Sequence, residues 1–286
     1  MEGSVLIRCI IEGLMLGMLY ILVAVGLTLV FSIMDIVNFA HGEFYMLGGF
    51  ISYILFGQLH LNYFLTILIA LIAVGLFSVL VERLVFKPFR GQILPAFIIS
   101  LGLIWIFRES IRFIFGNWDK AIPVAFPGII NVGKLTLSVE RFTTALIGAI
   151  LIFLLHLFIQ RTKWGRAMRA IALDRDAASL QGINIDFISS LAFGIGCGLA
   201  AVAGVLLGSV YYASASMGAH MILKAFLIII LGGLGSIPGC LLGGLLLGFF
   251  ESFGHTFLNI PTVTIITFAA IFILLVFRPQ GLLGHE

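Results

Sequence analysis

Residues Val5–Phe31 read VLIRCIIEGLMLGMLYILVAVGLTLVF, with Arg8 and Glu12 as their only charged side chains. A bilayer core of about 30 Å needs roughly 20 apolar residues in a helix, and this run exceeds that. It is too long for the apolar region of a signal peptide and lacks a convincing small-residue cleavage site, so it reads as a retained membrane helix. Comparable stretches recur at Ile36–Phe56, Asn62–Phe86, Ile93–Phe115, Phe142–Ile159, Phe187–Tyr212 and Ile260–Phe277. Between the last two, Ile222–Leu258 is Gly-rich and interrupted at Pro238, and counts as two short helices or a broken pair. The expected fold is all-α: a polytopic membrane protein of about eight or nine transmembrane or half-membrane helices. It forms one transmembrane domain over residues 1–286.

Composition agrees. Of 286 residues, 61% are hydrophobic and 10% charged, against about 25% charged in soluble domains. Too little polar surface remains to cover a water-soluble globule, which excludes a soluble enzyme. The net charge of +3 is small, and no basic run alternates with aromatics, so nucleic acid is not an expected partner. Cys9, Cys197 and Cys240 sit in apolar runs without ligand spacing and read as small hydrophobes, not as a disulfide or metal set. GGLGSIPG has no Lys to reach a phosphate, and no hydrolase or metalloprotease motif occurs, so no enzyme is expected.

Lys and Arg in short loops orient the spans. Arg83, Lys87 and Arg90 follow the third span, Arg161–Arg175 the fifth, and Arg278 the last; these regions are expected in the cytoplasm. The loop Gly116–Glu140, with Lys120 and Lys134 balanced by Asp119 and Glu140, belongs outside. The amino terminus then lies outside, with Arg8 against the rule, and the carboxyl terminus inside.

Ionisable groups within spans cost a few kcal/mol each, so they normally face a cavity, a partner or the bundle interior. SIMDIVNFAHGEF packs Asp35, Asn38, His41 and Glu43 into nine positions. At helical spacing Asp35, Asn38 and the Ala40–Gly42 region share one face, and Gly42 permits a bend. The segment reads as a broken helix lining a permeation path, or else as an interfacial turn. A weak internal repeat links Asn38–Gly49 to Gly233–Gly244, GLGSIPGCLLGG, both ending in Gly pairs. Duplicated broken helices of this kind flank substrate paths in transporters. The candidate path is therefore Asp35, Asn38, His41, Gly42, Glu43, Gly233 and Gly235, the two breaks facing each other. Arg108 and Arg112, i and i+4, form a basic stripe that snorkels to the outer interface or meets an acidic external partner. Glu251 and His255 are spaced to bond one another.

Arg161–Asp186 is the longest cytoplasmic connection. Met168, Ile171 and Ala172 oppose Arg166, Arg169 and Arg175, which makes a short amphipathic helix. A second turn, Asp174–Leu180, opens with an acid and stops at Gly182. It offers a handle for a soluble partner; an ordinary positive loop carries the same charge, so charge alone does not decide.

The run DAASLQG, Asp176–Gly182, resembles the EAA-then-Gly signature of ABC-importer permeases, with Asp where Glu is usual. Together NFAHGEFYMLGG, WGRAMRAIALDRDAASLQGI, GGLGSIPGCLLGG and FRPQGLLG resemble, in order from Asn38 to Gly284, the LivH-type permeases of branched-chain amino-acid importers. The resemblance implies a bacterial inner-membrane subunit moving branched-chain or other hydrophobic amino acids; related permeases move urea, amides or other amino acids. It implies a second, LivM-like permease subunit, two cytoplasmic ATPases and a periplasmic or extracellular substrate-binding protein. No cofactor is expected on this chain; ATP binds the partners. Gly165, Arg166, Arg169, Asp176, Ala177, Ala178 and Gly182 map to the coupling helix that docks in an ATPase groove. The rival readings are a stand-alone secondary transporter or channel using Asp35, His41 and Glu43 for coupling ions, and a membrane scaffold. The coupling-helix signature argues against the first, and the second leaves the in-order motifs unexplained.

Overall fold

Asn62, Ser236 and Asn259 each start a membrane helix. Their side-chain oxygens accept hydrogen bonds from the backbone N–H groups of Phe64, Gly239 and Thr262 at 2.9, 3.1 and 3.0 Å. Pro238 and Pro261 occupy first turns, where a missing N–H costs nothing. Pro238 therefore begins a helix and does not interrupt one. In a computed structural model describing residues 3–132, 135–278 and 280–283, seven helices are long and apolar enough to cross a membrane. These are α1 (Gly3–Met34), α3 (Tyr63–Val81), α4 (Ile93–Phe115), α5 (Val139–Arg161), α8 (Ile185–Val210), α10 (Ile237–Phe257) and α11 (Ile260–Phe277). Two shorter ones, α2 (His41–Ser52, continued by a π turn at Tyr53–Gln58) and α9 (Met217–Gly232), bring the set to the expected number. Between α5 and α8 lie α6 (Lys163–Leu173) and α7 (Arg175–Leu180). The Gly116–Glu140 loop holds an antiparallel hairpin, β1 (Ile129–Val132) and β2 (Leu135–Ser138). Lys134 and Gly284 lie outside the described residues.

The bundle is built around α1 and α8. In an 18-residue apolar stretch of each, 78% and 83% of the residues are buried, against 17% in α4 and α11, which turn large apolar side chains outward. α1 packs on α10, α8, α5 and α9; α8 packs on α2 and α3. Glycine allows these close crossings. A Cβ on Gly48 of α2 would overlap the Ala201 carbonyl of α8, and one on Gly204 would overlap the Tyr45 carbonyl. Without a hydrophobic drive between helices in lipid, this backbone-to-backbone contact supplies the packing.

The segment after α1 departs from the expected helix. Asp35 adopts φ +51°, which ends α1, and Asp35–Ala40 runs without helical structure. Asp and Asn tolerate the left-handed region through local hydrogen bonding, and Asn38 Oδ1 accepts from the Ala40 N–H at 3.0 Å. The shared helical face drawn through Asp35, Asn38 and Ala40–Gly42 does not form. The run turns back into the bundle: His41 Nε2 lies 3.3 Å from the Val23 carbonyl oxygen, about 16 Å along α1 from its end at 1.5 Å rise per residue. α2 therefore starts in mid-bundle. The bend lies at Asp35, and Gly42 is instead a contact glycine inside α2, where a Cβ would overlap the Gly218 carbonyl of α9.

Contacts sort the helix ends onto two faces. Arg90, Asp186, α6, α7 and the α9–α10 junction share one face with the end of α1, where the Ser32 hydroxyl donates to the Gly235 carbonyl at 3.0 Å. There the Leu282 and Leu283 N–H groups cap the carbonyls of Leu231 and Gly232 at 2.8 and 3.0 Å. The start of α1 lies opposite: Cys9 meets Ser252 and Thr256, and Glu12 meets Arg141. All three Lys/Arg clusters fall on the first face, as the loop charges group them.

Candidate functional site

The start of α2 gathers Asn38, His41, Gly42 and Glu43 at mid-depth. The Phe39 N–H donates to Ser100 Oγ of α4 at 3.2 Å, which pins the non-helical run. His41 is fully buried, with Nδ1 3.7 Å from Cys197 Sγ. Glu43 is 1% exposed and accepts at Oε1 from Arg108 Nη2 of α4 at 3.1 Å. Burying two charges is expensive unless each is fully bonded, yet Glu43 Oε2, Arg108 Nε and Asn38 Nδ2 are buried without a partner among the described residues. Arg108 therefore turns into the bundle and does not join Arg112 in an outer stripe; Arg112 pairs with Glu109 at 2.6 Å. Asp35 is exposed on the Lys/Arg-rich face. Gly233 and Gly235 also lie at that face, against Gly281 and Ser32. The two breaks thus occupy different depths and do not face each other.

A second polar group binds α1, α9 and α10. Glu251 Oε2 accepts from the Tyr20 hydroxyl at 2.6 Å and from Lys224 Nζ at 2.8 Å. Glu251 accordingly bonds Lys224 and Tyr20, and His255, one turn on, is left to the exposed helix end.

On the Lys/Arg-rich face, α6 and α7 form a held unit. The Thr162 hydroxyl caps Gly165 N–H at 3.0 Å, and Asp174 caps Ala177 N–H at 2.9 Å. Gly165 packs so closely on the end of α5 that a Cβ would overlap the Ile159 and Phe158 carbonyls. Gly182, at φ +79°, ends α7. Arg166, Asp176 and Ala177 are exposed, Arg169 is half-buried and bonds Gln160, and Gly165 and Ala178 are buried. Leu173 and Leu180 stand out at 88% and 86% exposed. Arg90 anchors the start of α8: it bonds the buried Glu82 carboxylate and Asp186, the latter at 2.5 Å, and Ser190 donates to Glu82 at 2.6 Å.

The chain matches a family model described as the branched-chain amino acid transport system permease component over residues 9–277. It belongs to that family. Among relatives, the permease is 36% identical to the high-affinity branched-chain amino acid transport system permease protein BraD of Pseudomonas aeruginosa, over 96% of this chain and 95% of that one. It is 35% identical to the corresponding LivH of Escherichia coli K12, over 96% and 94%. A probable branched-chain amino acid transport permease protein LivH of Methanocaldococcus jannaschii is 27% identical over 86% and 80%. No solved structure matches. The permease is a multi-pass membrane transport component and not an enzyme.

Arg108, Lys224 and Tyr20 are the residues that local spacing missed. One signal was available: opposite charges isolated in apolar runs must find each other, because lipid solvates neither.

Proposed function

We propose that the permease is the membrane-spanning subunit of an ABC importer that moves branched-chain or other hydrophobic amino acids across a bacterial inner membrane. A second, LivM-like permease subunit pairs with it, a periplasmic or extracellular binding protein delivers substrate to the hairpin face, and two ATPases bind the face bearing α6 and α7. ATP is held by those partners. The observation that carries this reading is Leu173 and Leu180. Two large apolar side chains almost fully exposed on a loop unit whose other exposed side chains include Lys163, Arg166, Asp174 and Asp176 suit a protein partner better than water or a basic loop's solvent shell. A capped unit, packed through Gly165 against the end of α5 and leading through Gly182 into α8, can pass a partner's movement to the bundle as a lever. Gly165, Arg166, Arg169, Asp176, Ala177, Ala178 and Gly182 are its coupling residues. The path runs from the start of α2 past Asn38, His41, Gly42 and Glu43 towards Asp35, and exits by Gly233 and Gly235.

Co-purification tests the coupling assignment. Leu173→Asp with Leu180→Asp should release the ATPases while the permease still inserts and melts at its usual temperature; undiminished co-purification would refute the docking face. Uptake without ATPases would instead favour a secondary transporter. Radiolabelled leucine, urea and amides offered with the cognate binding protein separate the substrate classes.

Topology gives a further check. With the three native cysteines, all buried, replaced, a cysteine at Lys120 should react with an impermeant thiol reagent from outside, and one at Lys163 only after permeabilisation. The reverse pattern would put the α6–α7 unit on the side without ATP.

A further inference from the structure

The orphaned polar atoms at the start of α2 ask for a partner. Asn38 is fully buried and Glu43 nearly so, yet Asn38 Nδ2, Glu43 Oε2 and Arg108 Nε have none among the described residues. Buried polar groups in native proteins are nearly always bonded, and in a membrane no bulk water rescues them. A pair kept only to hold α2 on α4 would close these valences. Left open are a carboxylate oxygen, a guanidinium N–H and an amide N–H₂. That set matches a zwitterion: the acceptor suits an ammonium, and the two donors suit a carboxylate.

The surroundings fit. The site lies where the backbone is unwound and the amino end of α2 opens in mid-bundle, an arrangement that favours a carboxylate near the helix start. Gly218 of α9 packs on the Gly42 carbonyl beside it, and a Cβ there would also lie 3.1 Å from the Glu43 carboxyl carbon. On the side towards Asp35 an aromatic floor closes it. Phe39 stacks on Phe226 of α9 at 4.3 Å between centroids and meets Phe97 of α4 edge-on at 5.2 Å. Phe39 belongs to the non-helical run, so it can swing without unwinding a helix.

We infer that Asn38, Glu43 and Arg108 form the mid-membrane recognition site for the ammonium and carboxylate of the transported amino acid, with Phe39 as the floor that opens towards the Lys/Arg-rich face. The inference rests on the path proposed above. The Glu43–Arg108 bond opens to admit the zwitterion, and two ion contacts replace one without net charge entering the bilayer. A neutral amide would gain neither contact.

Two measurements on the complete importer in proteoliposomes test it. Glu43→Gln combined with Arg108→Gln removes both charges yet keeps hydrogen-bonding side chains. Leucine uptake should fall about 50-fold, the scale of losing charge-assisted hydrogen bonds. A folded double variant with near-normal uptake would overturn the assignment. Because that variant could fail to fold, the second measurement uses Phe39→Cys in a background without native cysteines. N-ethylmaleimide at this cysteine should block uptake, and leucine should slow its reaction while isopentylamine and 4-methylpentanoate, each lacking one charge, should not. Equal protection by all three, or by none, would overturn zwitterion recognition while leaving the path intact. Labelling with no effect on uptake would remove the path itself, and the inference with it.

Discussion

Gly48→Leu should leave almost no folded permease in the membrane. The crossing of α2 and α8 brings backbone against backbone, and a Cβ on Gly48 would overlap the Ala201 carbonyl, its carbon and its Cα. No rotamer choice relieves a clash at Cβ, so the helices must separate. Overpacking a tight core typically costs about 1–3 kcal/mol and occasionally more; here the displaced atoms are main chain in a largely buried helix, and the cost falls at the upper end. Separation would also pull Tyr45 from its place beside Gly204, because the two contacts belong to one crossing. Size-exclusion chromatography and thermal unfolding in detergent would show the loss. Gly102→Leu is the matched control. Gly102 sits on the outward side of α4, and a Cβ there would meet nothing within 4 Å among the described residues, so that variant should fold normally. Equal behaviour of the two variants would mean that the crossing tolerates a wider spacing.

Arg90→Ala should lower stability by about 3–5 kcal/mol, the usual cost of removing one partner from a buried ion pair. Glu82 is fully buried, and without the guanidinium its carboxylate keeps, among the described residues, only the Ser190 hydroxyl. Asp186 would retain Lys87 at 2.7 Å, so the damage centres on Glu82. Arg90→Leu with Glu82→Leu should recover most of the loss, since no uncompensated charge remains. Thermal unfolding of the three proteins decides: a double variant as unstable as Arg90→Ala would show that the charges themselves are needed. The network joins the segment after α3 to the start of α8, the helix that follows α7 in the chain, so uptake by the double variant would further report whether this tie transmits movement from the loop.

The spans were legible because lipid imposes a simple rule on sequence. Each apolar run of sufficient length must satisfy its own backbone, and only a helix does so. The α6–α7 unit was legible for a local reason as well: Asp174 and Gly182 carry their cap chemistry within a few residues of the helices they bound. The non-helical run was harder to read. Ile36–Phe56 has the hydropathy of a full span, and one left-handed residue at Asp35 turns its first part into a re-entrant strand of coil. Hydropathy does not register a single dihedral angle. Arg108 and Lys224 were harder still, because Glu43 and Glu251 lie on other helices and no periodicity connects them. The weak repeat illustrates the same limit of local pattern: Asn38–Gly49 and Gly233–Gly244 look alike, yet one opens at mid-depth and the other at the surface.

The dominance of α1–α10 packing has a consequence for biosynthesis. Among the described helices α1 is made before the others, and the helix it packs against most extensively, α10, is made after all of them but α11. Until α10 emerges from the ribosome, the side of α1 destined for it must rest against lipid or the insertion machinery, with the Tyr20 hydroxyl waiting for Glu251. The permease is thus closed by its late helices and not zipped from one end. A ribosome halted before residue 251 would carry a nascent chain whose first helix can pack on α5, α8 and α9 but still lacks α10.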